Sequence, residues 1–87
     1  MARIQTSNAG ISAHVAGEID SLYRLAMRHA ADASTPVERI EAHKWFNIAA
    51  MHGNAKAARL RREIAEEMSP SEVAAAQRAA REWLTLH

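Results

Sequence analysis

The sequence predicts an all-α fold, about four helices packed as antiparallel hairpins. Three observations predict it. Apolar residues recur at three- and four-residue steps, the period of one helix face. The recurrence stops at Ser34-Thr35-Pro36, at Gly53-Asn54 and at Ser69-Pro70, where residues that end a helix meet residues that start one. Alanine supplies much of the 48% hydrophobic content, and alanine favours helix and close helix–helix approach while burying little apolar area.

Residues 1–18 read as an N-terminal arm, loosely ordered or partly helical, and residues 19–84 as the helical domain. In the arm Ile4, Ile11 and Val15 follow no clean period, and Gly17 weakens any helix that crosses it by up to ~1 kcal/mol. The first firm helix spans about 19–33. Asp20 or Ser21 is the expected cap, and Ile19, Leu22, Tyr23, Ala26, Ala30 and Ala33 form its stripe. Pro36 suits the first turn of a second helix, about 37–52, because its missing N–H costs nothing there. Val37, Ile40, Ile48 and Met51 line one face of it, while Trp45 and Phe46 sit beside and beyond that face. Apolar groups on two sides predict a central helix touched on both flanks.

Gly53 supplies a left-handed stop and Asn54 caps a third helix, about 55–68, with the stripe Ala57, Leu60, Ile64 and Met68. Its basic residues come early and its acidic ones late, against the helix dipole, so tertiary contact must hold it. The pairs Arg59–Glu63 and Arg62–Glu66 offset only a few tenths of a kcal/mol each. Ser69-Pro70-Ser71-Glu72 is a capping box with proline at the first helical position: the Ser69 hydroxyl accepts from the N–H of Glu72, and the Glu72 carboxylate reaches back to the N–H of Ser69. Val73, Ala76, Ala80, Trp83 and Leu84 carry the fourth helix to about residue 84.

The run from Ala42 to Ala55, with Trp45-Phe46, Ala49-Ala50 and Gly53-Asn54, resembles the second helix of a Sel1-like repeat, a tetratricopeptide-like family. Leu22 to Ala26 is similar to its first helix, and Ala58 to Trp83 to the closing helical pair of short bacterial members. Ala26 and His29 stand where the family usually has glycine and tyrosine, and only about one full repeat is present, whereas arrays usually need about three. The resemblance implies a helical scaffold for protein–protein contact in which Trp45 and Phe46 fill the groove between hairpins and Gly53 turns the chain.

Size and charge narrow the function classes. For 87 residues, surface scaling gives a folded area of ~5,000 Å² and buries roughly 60–65% of the open chain, a thin core. With 11 basic and 10 acidic residues no strong field gathers nucleic acid or anionic lipid. Cysteine is absent, which removes disulfides and thiolate metal sites. Residues 1–10 hold no apolar run of signal-peptide length, and nothing approaches the ~20 apolar residues of a membrane span, so a cytoplasmic site is expected and no membrane partner.

No residue pattern marks chemistry. His43 and His52 are nine residues apart, off a common face, and no His-Glu-x-x-His motif occurs among His14, His29, His43, His52 and His87. Glu38 and Glu41 near His43 would suit acid–base work, but no nucleophile accompanies them and no glycine-rich phosphate loop exists. The expectation is a chain that is not an enzyme and has no cofactor and no metal. It is instead an interaction module, a small adaptor or regulator, binding a protein partner through an inter-helix groove or associating with itself. Arg59, Arg62, Trp83 and Leu84 are the expected partner-binding residues. Trp45, Phe46, Gly53, Ser69 and Glu72 are the expected structural ones. The alternative is a small helical nucleic-acid-binding regulator using the face of Arg59, Arg61 and Arg62.

Overall fold

Proline, glycine and capping side chains divide this chain into helices, and the alanines decide how closely those helices approach. The computed structural model of the protein describes residues 2–87, with side chains from residue 17 onward. Its four helices are α1 (Ala2–Ala31), α2 (Pro36–Met51), α3 (Ala55–Ala65) and α4 (Pro70–Leu86), with no strand among the described residues. None of them is long and apolar enough to cross a membrane, among the described residues. A 30-residue helix is about 45 Å long, so α1 sets the long axis of the 46 × 24 × 17 Å molecule.

Four of the helix ends follow their local chemistry. Thr35 caps α2 by accepting from the Glu38 N–H at 3.3 Å, and Pro36 takes the first turn. At the other end Gly53 adopts φ 103°, its N–H donates to the Ala50 carbonyl at 3.0 Å, and the Asn54 N–H donates to the Ala49 carbonyl at 3.1 Å. That is a Schellman termination, which needs the left-handed residue that glycine tolerates. Asn54 then caps α3 through the Ala57 N–H at 2.9 Å. Ser69 caps α4 through the Glu72 N–H at 3.1 Å.

Two boundaries differ from the sequence expectation. The first helix does not start near Ile19, because α1 runs through that point. Asp20 and Ser21 are interior residues, Asp20 paired with Arg24 one turn on and the Ser21 hydroxyl donating to the Gly17 carbonyl at 3.0 Å. The expected irregularity of Ile4, Ile11 and Val15 lies outside the described side chains. The third helix stops at Ala65 rather than Met68, its last turn tightened by i→i+3 bonds from the Glu66, Glu67 and Met68 N–H groups. Met68 keeps its apolar contact from the turn.

Helix α2 is the centre of the fold, since each extensive helix–helix contact pairs it with α1, α3 or α4. On one side Ala26 of α1, Ala42, Phe46 and Ala49 of α2, and Ala57 and Ile64 of α3 form the core, with Tyr23 tilted against Phe46 at a ring separation of 6.0 Å. Four of those six residues are alanine, which lets backbones close in around the Phe46 ring. On the other side α4 lays buried Ala76 and Ala80 against α2, and Ile48 is fully buried. The expected pairing of α3 with α4 as a second packed hairpin does not occur, because α4 returns to α2. Nor is the stripe Val37, Ile40, Ile48, Met51 a buried face: Val37 and Met51 are 68% and 61% exposed, and Ala42, His43, Phe46, Ile48 and Ala49 are what α2 buries.

A candidate partner-binding groove

A groove lies between the last turns of α4 and the middle of α1. It holds about 690 Å³ and is lined by Ile19, Leu22, Glu18 and Ser21 of α1, His52 at the end of α2, and Trp83, Leu84 and His87 from α4. A shallower hollow continues from it past Ile19, Asp20, His52, Gly53 and Asn54.

Trp83 is fixed from two sides. Its ring meets Trp45 edge-on at 5.5 Å and stacks on the His87 imidazole at 4.2 Å. Trp45 is itself held, its indole N–H donating to Glu41 at 3.1 Å while the Lys44 ammonium lies 4.3 Å from its ring centre. The chain from Glu41 through Trp45 to Trp83 therefore presents a positioned aromatic wall.

The two histidines have fixed tautomers when neutral. His87 Nδ1 lies 2.9 Å from the Trp83 carbonyl and His52 Nδ1 lies 2.9 Å from the Ile48 carbonyl. A carbonyl oxygen only accepts, so each Nδ1 carries the hydrogen and each Nε2 is left as an acceptor. When both imidazoles are neutral the groove lining thus offers two Nε2 acceptors on apolar walls, and among the described residues no lysine or arginine lines it.

Of the expected partner-binding residues, the structure brings Trp83 and Leu84 together in this groove and leaves Arg59 and Arg62 out of it. Both arginines are exposed on α3, Arg59 within 3.9 Å of Glu63. No Arg62–Glu66 pair forms among the described residues, because Glu66 already lies in the turn beyond α3. The three arginines do not share one surface: Arg61 turns inward and its Nη1 donates to Asn47 Oδ1 at 2.7 Å. Among the structural residues Phe46 is buried, Trp45 is half-buried, and Gly53 and Ser69 have their expected roles.

Glu72 departs from its expected role. Its carboxylate does not return to the Ser69 N–H. It accepts from Arg39 instead, Nε to Oε1 and Nη2 to Oε2, both at 3.3 Å, with the two side chains 18% and 19% exposed. A guanidinium fork outcompetes a single neutral N–H for the same two oxygens. Arg39 also donates to the Ala33 carbonyl at 3.3 Å, so one side chain joins the α1–α2 turn, α2 and α4. A second tie, His29 Nδ1 to Glu38 Oε1 at 2.6 Å, crosses the α1–α2 junction.

Sequence reasoning passed over Arg39 and Asn47, and weighed His52 and His87 only as metal ligands. The signal for the first two was present: Arg39, His43 and Asn47 recur every fourth residue on the central helix, and a polar row on a helix covered from several sides must find polar partners. No cluster of three or more potential metal ligands occurs among the described residues. No protein-family model matches the chain, and neither a curated protein nor a solved structure matches it.

Proposed function

We propose that this chain is a non-catalytic interaction module of Sel1-like, tetratricopeptide-like type that receives an amphipathic helix of a partner protein in the groove between α1 and α4. The observation that carries the reading is the groove itself, with Ile19, Leu22, Trp83 and Leu84 as apolar walls around about 690 Å³. Helix-in-groove recognition uses apolar anchors spaced along one face of the incoming helix. The lining adds the polar character of the partner. Acceptors at His52 and His87, with no lysine or arginine among the described lining residues, suit a helix whose apolar face is flanked by hydrogen-bond donors. Support for the repeat-type reading comes from α2, where Phe46 and Ala49 are core, Gly53 turns the chain and Asn54 starts the next helix.

The nucleic-acid alternative has less support, since Arg61 is tied to Asn47 and Arg59 lies beside Glu63. A designed amphipathic helix of leucine and lysine is the direct probe. Titrated into the labelled full chain, it is expected to shift the Trp83 indole and the Leu84 methyl resonances, and Leu84→Glu is expected to remove the effect. Shifts confined to Arg59 and Arg62, or none at saturating peptide, would reject the groove.

A further inference from the structure

Arg39, His43 and Asn47 lie one turn apart on α2 and form one polar row. The outer members have partners on different helices. Arg39 is forked to Glu72 of α4, and Asn47 accepts from Arg61 of α3 at 2.7 Å. The middle member has none. His43 is 3% exposed, and its Nδ1 is buried without a hydrogen-bond partner. A buried polar nitrogen without a partner is destabilising, and an apolar residue of similar size would avoid that cost.

We propose that His43 is an acid-sensitive joint between α2 and α3: neutral, it stays sealed in the junction; on taking up a proton it is driven toward solvent and α3 loosens from α2. The charges around it fix the direction. Burial pushes the His43 imidazole below its ordinary value, and the Arg61 cation pushes it the same way. Arg61 cannot easily retreat, because Asn47 holds its guanidinium. From α4, Glu72 reaches this row but is taken by Arg39. From α1, His29 is engaged with Glu38. On α3, Glu63 is exposed beside Arg59. Among the described residues no carboxylate bonds His43, so a protonated ring would sit buried beside a fixed cation.

The sign of the effect follows. The unfolded chain binds a proton at His43 near about pH 6.5, and the folded chain does so only at lower pH. Between those values the unfolded or opened state holds more protons, so stability is full above about 6.5 and falls as pH drops. Uptake of one proton changes the opening constant by about tenfold per pH unit within that window.

Amide exchange of the full chain between about pH 7 and pH 5, corrected for intrinsic rates, tests the joint. Protection of the α3 amides is expected to fall about tenfold per pH unit below the onset, ahead of those in α1 and α2. Direct NMR titration should place the His43 ring below 6.5. His43→Gln, which cannot charge, should flatten the response, and Arg61→Gln should move the ring titration upward. A ring that titrates at or above its ordinary value, an equal acid response in His43→Gln, or simultaneous loss of protection in all helices would overturn the proposal. If His43→Gln does not fold, Arg61→Gln decides alone, and an unmoved titration overturns it.

Discussion

Breaking the Arg39–Glu72 fork separates a tertiary tie from a helix cap, because Glu72 takes part in both. Glu72→Gln keeps the backbone N–H that Ser69 accepts from at 3.1 Å and removes only the carboxylate charge. The pair is neither a surface pair nor a buried one, with side chains 18% and 19% exposed. Exposed pairs contribute about 0–1 kcal/mol, and breaking fully buried ones costs about 3–5 kcal/mol. The intermediate burial and the two-point geometry place the loss at about 1–3 kcal/mol. Arg39→Gln should cost somewhat more, since it also gives up the bond to the Ala33 carbonyl. Urea melts of wild type, both single variants and the double variant give the coupling directly, expected at about 1–2 kcal/mol. Unchanged slopes would show that the unfolded reference is the same in all four. Additive losses, with coupling below about 0.3 kcal/mol, would refute the claim that this fork fastens α4 to α2.

Ser69→Ala should lower stability by about 0.5–2 kcal/mol, read from the same melts, because the Glu72 N–H loses its acceptor. Gly53→Ala should cost about 1–2 kcal/mol from backbone strain alone, since φ is 103° while an added Cβ meets nothing within 4 Å; an unchanged midpoint would mean the turn relaxes. Phe46→Ala should cost about 3–5 kcal/mol, as the largest buried side chain of the core. Trp83→Phe should keep the melt nearly unchanged and weaken binding of the amphipathic probe peptide, measured by calorimetry.

What was legible in the sequence follows the range of the forces involved. The starts of α2, α3 and α4 were readable because Thr35-Pro36, Asn54 and Ser69-Pro70 act on N–H groups within three residues. Asp20 and Ser21 misled for the same reason: cap-type side chains are equally satisfied by a partner four residues away inside a helix, Arg24 for one and the Gly17 carbonyl for the other. The path of α4 was not readable. An alanine stripe such as Ala76 and Ala80 fits any close neighbour, and Arg39 and Glu72 are 33 residues apart, so local patterns carry no record of their meeting. The site was half legible. Trp83 and Leu84 drew notice as apolar residues near a chain end, whereas the acceptors His52 and His87 owe their places to carbonyls and stacking that only the fold supplies.

The return of α4 to α2 also bears on the expected self-association. In a solenoid a hairpin buries one side on its predecessor and the other on its successor, and a lone repeat exposes one or both. Here α1 and α3 cover the Phe46 side of α2, while α4, with Ala76, Ala80 and Trp83, covers the other side. Internal cover removes part of the motive for self-association and concentrates the rest. The groove lined by Leu22 and Trp83 lies between α1 and the last turn of α4. Sedimentation across a wide concentration range separates the two consequences. If groove occupation by a second copy were the main mode, Leu84→Glu would convert an associating chain to a monomer; a wild-type chain monomeric at high concentration leaves the groove open to a foreign helix.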